Sequence, residues 1–248
     1  MSLYRSRDDC VHIVLVGTSL LTHSGWKTGQ PLPPKALLSR LLAGGSPRRY
    51  SAELDALIPF MDRGECTGVH LLATRTPEGR LCCSVLKTFL QSRAVHITEA
   101  EVSGLLEFDG STDQDSFNRG IRQFREKVFR AAQAARGRGA RVFLNATGGL
   151  KAEVAVAVLV AAELRLDGAY YLHESMENPV FLPIAPVDRE LRELLVRITD
   201  GRPIRATRLP PNDLWRLEHE GLIKVSRRAD GSLSTVRLTT YGRYWAAQ

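Results

Sequence analysis

Cysteine is scarce in this chain: four among 248 residues, Cys10, Cys66, Cys82 and Cys83, with no Cys-x-x-Cys. Only Cys82 and Cys83 are close, and vicinal cysteines do not normally bridge. A disulfide framework is therefore not expected, and a reduced, cytoplasmic setting is. Six histidines, His12, His23, His70, His96, His173 and His219, are scattered without ligand spacing, so no metal site and no cofactor are expected. Long apolar runs are also missing. The longest, Val154–Ala162, has nine residues, and a membrane-spanning helix needs about 20. Arg5, Arg7, Asp8 and Asp9 precede an apolar stretch, but the acids, His12 and the lack of a small-residue cleavage site predict a first strand, not a signal peptide. There is no Walker A loop, no Gly-x-Gly-x-x-Gly fingerprint, no internal repeat and no low-complexity tract.

What is present is an ordinary globular composition, 44% hydrophobic and 25% charged, with a formal charge of +7. The excess suits a protein that handles a polyanion without naming it. Residues 187–248 carry 12 basic and 8 acidic side chains, a net +4, which leaves +3 for the rest. The length allows one sizeable α/β domain and a small appendage.

Strand-like runs fall at Val11–Val16, Val69–Ala73, Ala94–Ile97, Arg141–Leu144, Ala169–Leu172 and Val180–Leu182. Helix-like segments lie between them at Pro34–Leu42, Ala52–Met61, Arg80–Gln91, about Asp113–Arg136 and Lys151–Leu164. This alternation predicts a doubly wound, Rossmann-like and mostly parallel sheet. In the fourth helix, Ser111 and Gln114 have the form of a capping box, and Phe117, Ile121, Phe124, Val128 and Ala132 form an apolar stripe. Its other face, with Arg119, Arg122, Arg125, Lys127, Arg130, Arg136 and nearby Arg138, could face a nucleotide, although such faces are ordinarily just solvated. The fifth helix, with Val154, Val156, Val158, Leu159 and Val160, is apolar nearly all round, which predicts burial between the sheet and a partner subunit. Arg40–Arg49, Gly104–Ser111 and Ser24–Pro34 read as loops. The last follows the first strand and is either a flap over a ligand or a plain connection.

A boundary is expected near Pro183–Pro186, giving domains 1–186 and 187–248. The second reads as a helix at Asp188–Ile198, a break at Asp200-Gly201, a short helix about Asn212–His219, a strand at Gly221–Val225, a turn through Ala229-Asp230-Gly231 and a strand at Leu233–Leu238. With a final helix at Thr239–Ala247, this suggests a small C-terminal winged helix-turn-helix-like domain with a two-stranded wing. The helix before the wing, Asn212–Glu220, carries Asp213, Glu218 and Glu220 against Arg216, a net −2 that predicts poor DNA binding, and Leu214, Trp215 and Leu217 suit packing on the first domain or a partner.

Asn145-Ala-Thr-Gly-Gly-Leu-Lys151 joins the fourth strand to the fifth helix. Two glycines let backbone N–H groups converge at a helix N-terminus, where phosphate is the usual guest. Lys151 adds a mobile charge, and Asn145 and Thr147 add neutral hydrogen-bonding groups. Taken alone, Gly148 and Gly149 fit an ordinary tight turn equally well. A second segment, Val11 to Leu21, reads as a buried strand running into Gly17-Thr18-Ser19. In an open parallel sheet both strand ends lie on one edge, where ligands bind at the switch in strand order.

These segments, together with Ala169-Tyr-Tyr-Leu-His-Glu and Pro179-Val-Phe-Leu-Pro-Ile-Ala-Pro, resemble the CRISPR-associated Rossmann fold (CARF) proteins, and within them the stand-alone ring nucleases with a winged-helix-like C-terminal domain. The order of elements agrees over nearly the whole chain, and strong motif identity is confined to Gly17–Leu21 and Asn145–Lys151. The resemblance implies a homodimer that binds cyclic oligoadenylate, such as cyclic tetra-adenylate, the messenger of type III CRISPR immunity, and cuts it without metal. Carried over by position, it makes Ser19 and Lys151 the catalytic pair, with Gly17, Thr18, Asn145, Thr147, Gly148 and Gly149 contacting the ligand. Relatives with a ribonuclease module carry Arg-x4–6-His. Here Arg216 lies too close to His219, and the C-terminal part has no Glu-x-Lys of a metal-dependent nuclease, so the appendage is not expected to be an enzyme. The same motifs would serve a ligand-gated transcription regulator or a passive messenger binder.

Overall fold

A computed structural model describes residues 9–93, 95–102, 114–149, 151–182, 184, 189–198, 204–219, 221–239, 242–243 and 246. The chain divides into two compact units between Val180 and Phe181, a few residues before the expected boundary.

The larger unit runs β1 (Cys10–Val16), α1 (Ser19–His23), α2 (Lys35–Gly44), α3 (Pro47–Tyr50), α4 (Ala52–Asp62), β2 (Gly68–Thr74), α5 (Pro77–Gln91), β3 (His96–Val102), α6 (Gln114–Arg136), β4 (Arg141–Asn145), α7 (Lys151–Glu163) and β5 (Gly168–Tyr171), with β6 (Val180–Leu182) at the division. The sheet order is β3-β2-β1-β4-β5-β6, and the β1–β2, β1–β4, β2–β3 and β4–β5 pairs are parallel. This is a Rossmann-like α/β fold. Every residue of β1 is buried, as a strand covered by helices on both faces requires. Strand order reverses between β1 and β4, so a crevice is expected beyond their C-terminal ends.

Several expectations need correction. β1 ends at Val16 as expected, but the Ser19–His23 segment after it, for which no helix was expected, forms a short one. Arg40–Arg49 is largely helical: α2 continues to Gly44, and Pro47 opens α3 from the first-turn position that proline suits. β3 extends to Val102, past Glu99 and Glu101. Those acids face α5, where Lys87 and Arg80 pair with them, so a charged stretch is compatible with an edge strand. α7 is not buried all round, because Leu159 is 70% exposed. The loop Gly104–Ser111 and the Ser111 end of the capping box lie outside the described residues. In α6, Phe124, Val128 and Ala132 are buried as the stripe predicts. Much of its basic face is used internally: Arg125 pairs with Glu163, Arg130 with Glu126, and Arg136 donates to the carbonyls of Leu164 and Arg165 beyond α7.

The smaller unit contains α8 (Arg189–Ile198), β7 (Ile204–Arg205), a 3-10 turn at Ala206–Arg208, α9 (Pro211–His219), β8 (Ile223–Arg227) and β9 (Leu233–Leu238). The sheet has three strands rather than two, ordered β7-β9-β8 and antiparallel. The β8–β9 turn closes through Arg228 and Ser232, with Gly231 at φ +78°. Leu214 and Leu217 do not await another domain. They are buried in this unit's own core with Leu191, Leu195, Leu222 and Val236. The Asp200-Gly201 break and most of Thr239–Ala247 fall outside the described residues.

Candidate active site

The switch point joins three segments: the end of β1 (Gly17, Thr18, Ser19), the β4–α7 connection (Asn145 to Gly149) and the first turn of α4. The third segment was not singled out in the sequence, and it contributes the group that ties the others together. Glu53 is a carboxylate only 1% exposed. Its Oε1 accepts the Gly17 N–H at 2.8 Å, and its Oε2 accepts the hydroxyls of Ser19 at 2.5 Å and Ser51 at 2.8 Å. Three donors and the N-terminus of α4 allow a carboxylate to lie out of water here. Ser51 caps α4 by accepting the Leu54 N–H at 3.3 Å, and Ser19 Oγ also accepts the Ala52 N–H at 3.2 Å.

Close packing explains the glycines. A Cβ on Gly148 would stand 2.4 Å from Glu53 Oε1 and 2.5 Å from the Leu15 carbonyl oxygen, both parts of the framework. Gly149 has φ +94°, a left-handed conformation that other residues adopt only with strain. Gly17 and Gly149 nearly touch: a Cβ on Gly17 would be 2.7 Å from the Gly149 nitrogen. The two motifs therefore form one surface. The N–H groups of Gly148 and Gly149 have no acceptor among the described residues.

The polar residues are placed differently from one another. Thr18 is exposed, and Gly17, Ser19, Thr147 and Gly149 are half-buried. Asn145 is fully buried: its Nδ2 donates to the Glu53 carbonyl at 3.0 Å, and its Oδ1 accepts the Thr147 N–H at 3.1 Å. Asn145 thus shapes the β4–α7 loop from beneath. Thr147 Oγ1 accepts the Leu172 N–H at 3.1 Å. Lys151 is the first residue of α7, two residues beyond Gly149, and its side chain lies outside what the structure describes. Glu153, on the first turn of α7, is buried, with Oε2 3.0 Å from where a Cβ on Gly149 would be. Two carboxylates therefore underlie the edge.

Asn145 also hydrogen-bonds Tyr170, from which a polar spine runs through the core. His12 Nε2 lies 2.9 Å from the Glu65 carbonyl, so Nε2 carries the proton and Nδ1 accepts from the Tyr170 hydroxyl, also at 2.9 Å. Complete burial lowers the His12 pKa to about 4 and raises that of Tyr170 well above its usual value. A separate cavity of about 280 Å³ lies near the N-terminal ends of the strands, between α6 and His70, His96 and Thr98, away from this edge.

The model of a family described as CRISPR-associated protein (Cas_APE2256) matches residues 48–185, more than half of the chain. The chain belongs to that CRISPR-associated family. The match includes Glu53 and the whole Asn145–Lys151 segment but begins after Gly17–Ser19. Among solved structures, protein VC1899 from Vibrio cholerae is similar at 11% identity and a TM-score of 0.38, over 96% of this chain and 64% of that one. The chain thus spans less than two thirds of that protein. No described helix is long and apolar enough to cross a membrane, and no described cluster of His, Cys, Asp and Glu could hold a metal ion. The four cysteines are buried and form no disulfide, and burial pushes Cys66, Cys82 and Cys83 up to about 12.

Proposed function

We propose that this chain is a cytoplasmic ring nuclease that binds cyclic oligoadenylate, cyclic tetra-adenylate in the first instance, and opens it without metal to switch off type III CRISPR signalling. The observation that carries the reading is the contact between Gly17 and Gly149 at the β1/β4 switch point. It joins Thr18 and Ser19 to two glycine amides at the N-terminus of the helix that begins with Lys151. Phosphate chemistry suits such a surface.

Ring opening needs few groups, because the nucleophile belongs to the ligand. A ribose 2′-hydroxyl attacks the adjacent phosphorus, the O2′–P bond forms, and the P–O5′ bond breaks. The products are a 2′,3′-cyclic phosphate and a 5′-hydroxyl. The protein holds the in-line geometry and stabilises the charge that gathers on the phosphoryl oxygens. In this reading Lys151 supplies that charge with the Gly148 and Gly149 amides, while Ser19 orients the attacking ribose. The test is incubation with labelled cyclic tetra-adenylate in excess EDTA, resolved by chromatography. Linear products ending in 2′,3′-cyclic phosphate are expected, and complete loss of activity on chelation refutes the metal-free step. Lys151→Ala should slow cleavage by more than it weakens binding, since its charge matters most in the transition state. Equal losses in both would make Lys151 a binding residue only.

A further inference from the structure

We propose that Glu53 acts on this reaction through Ser19, as the terminal proton acceptor of a two-proton relay; the inference rests on the ring-opening reading. A serine hydroxyl has one donor and two acceptor sites. Ser19 donates its proton to Glu53 Oε2 at 2.5 Å, and one lone pair receives the Ala52 N–H at 3.2 Å. One lone pair remains on Ser19, a half-buried residue at the candidate-site edge. Held this way, Ser19 Oγ can only accept a hydrogen bond from a ligand, and a ribose 2′-hydroxyl is a donor.

The step then follows. As O2′ bonds to phosphorus, its proton passes to Ser19 Oγ and the serine's own proton passes to Glu53 Oε2. The P–O5′ bond breaks, and the departing oxygen takes a proton from solvent water. After product leaves, Glu53 returns its proton through Ser19 to the hydroxide, and the protein is restored. Gly17 N–H on Oε1 and Ser51 Oγ on Oε2 fix the carboxylate, which bulk water does not reach at 1% exposure. Glu53 is a positioning residue in the resting site and a proton store during the step. Its place on the first turn of α4, far in sequence from both motifs, hides it from motif reading.

Glu53→Gln tests this with little change of shape. Gly17 N–H needs an acceptor, so the amide oxygen replaces Oε1 and the NH₂ group faces Ser19 and Ser51. Ser19 must then accept from that NH₂ group and turn its proton outward, which leaves no acceptor for the 2′-hydroxyl. With cyclic tetra-adenylate as probe, kcat should fall by about 100-fold or more, the scale of acid–base assistance, while KM stays within about threefold. A proton inventory of single-turnover cleavage in H₂O/D₂O mixtures adds a readout that a purely structural role would not move. The wild type should give a bowed curve, for two protons in motion, and Glu53→Gln a linear one. A linear wild-type inventory overturns the relay, and so does Glu53→Gln cleaving at the wild-type rate. If a melting curve shows that the variant does not fold, the wild-type inventory decides alone. A wild type that binds the ring but leaves it intact defeats the ring-opening reading and the relay together; an active wild type with an equally active variant defeats the relay only.

Discussion

His12 shows how one buried side chain sets a solution property of the larger unit. It is wholly buried, stacked on Phe143 with Phe60 tilted against it, and hydrogen-bonded at both ring nitrogens, with a pKa lowered to about 4 chiefly by desolvation. In the unfolded chain the ordinary value near 6.5 applies. Between these values the unfolded state binds a proton that the folded state does not. Stability is therefore complete above about pH 6.5 and falls as pH drops toward 4, by roughly 1.4 kcal/mol per pH unit and about 3 kcal/mol in all. His70, lowered to about 4 mainly by burial, acts in the same direction. Urea denaturation at pH 7.5, 6 and 5 should show this slope, and His12→Gln should flatten it. An unchanged slope in the variant would show that the proton is taken up elsewhere. In the sequence His12 was one of six scattered histidines, since nothing in its neighbours announces Tyr170, 158 residues away. Glu53 was hidden for the same reason: its three donors come from residues 17, 19 and 51, and only the fold brings the first two to it.

At the scale of elements, legibility followed the source of each element's stability. β1 and β4 are core strands whose apolar runs announce them, and β6 and β9 were bounded as observed. The charged half of β3 was missed because its acids are balanced by α5, a long-range fact, and β7 because two residues carry no pattern of their own. The Gly17–Ser19 and Asn145–Lys151 segments were legible because tight backbone approach demands small residues. In the smaller unit, α9 places Leu214 and Leu217 in the core and keeps acids at its surface. Glu218 forms a bidentate pair with Arg227 of β8, both bonds 3.1 Å, so a basic group that could meet phosphate on the β8–β9 hairpin is already engaged. A gel shift with the protein's own promoter region at physiological salt, with and without cyclic tetra-adenylate, should show no tight sequence-specific complex. Binding on the nanomolar scale typical of specific DNA-binding proteins would favour the ligand-gated regulator instead.

At the scale of the whole molecule, one chain has a candidate edge with a single Ser19 and a single Lys151, which on the ring-opening proposal would meet a cyclic ligand. A ring of identical nucleotides has rotational symmetry, and a two-fold homodimer would present two copies of that edge to it. α7 supplies a reason for such pairing: it starts at the candidate site, and on its outer face Ala155 is exposed and Leu159, one turn later, is 70% exposed. An exposed apolar strip on this helix fits a like surface on a second copy. Two α7 helices meeting there would bring two glycine turns toward one axis. We expect a stable homodimer that takes one ring per two chains. Light scattering should give twice the 27.5 kDa chain mass, and calorimetric titration with cyclic tetra-adenylate should saturate at about one ring per dimer. Leu159→Glu should lower the mass to that of a monomer and weaken ring binding with it. One ring bound per chain would rule out a shared site, and a dimer that survives Leu159→Glu would move the interface away from α7.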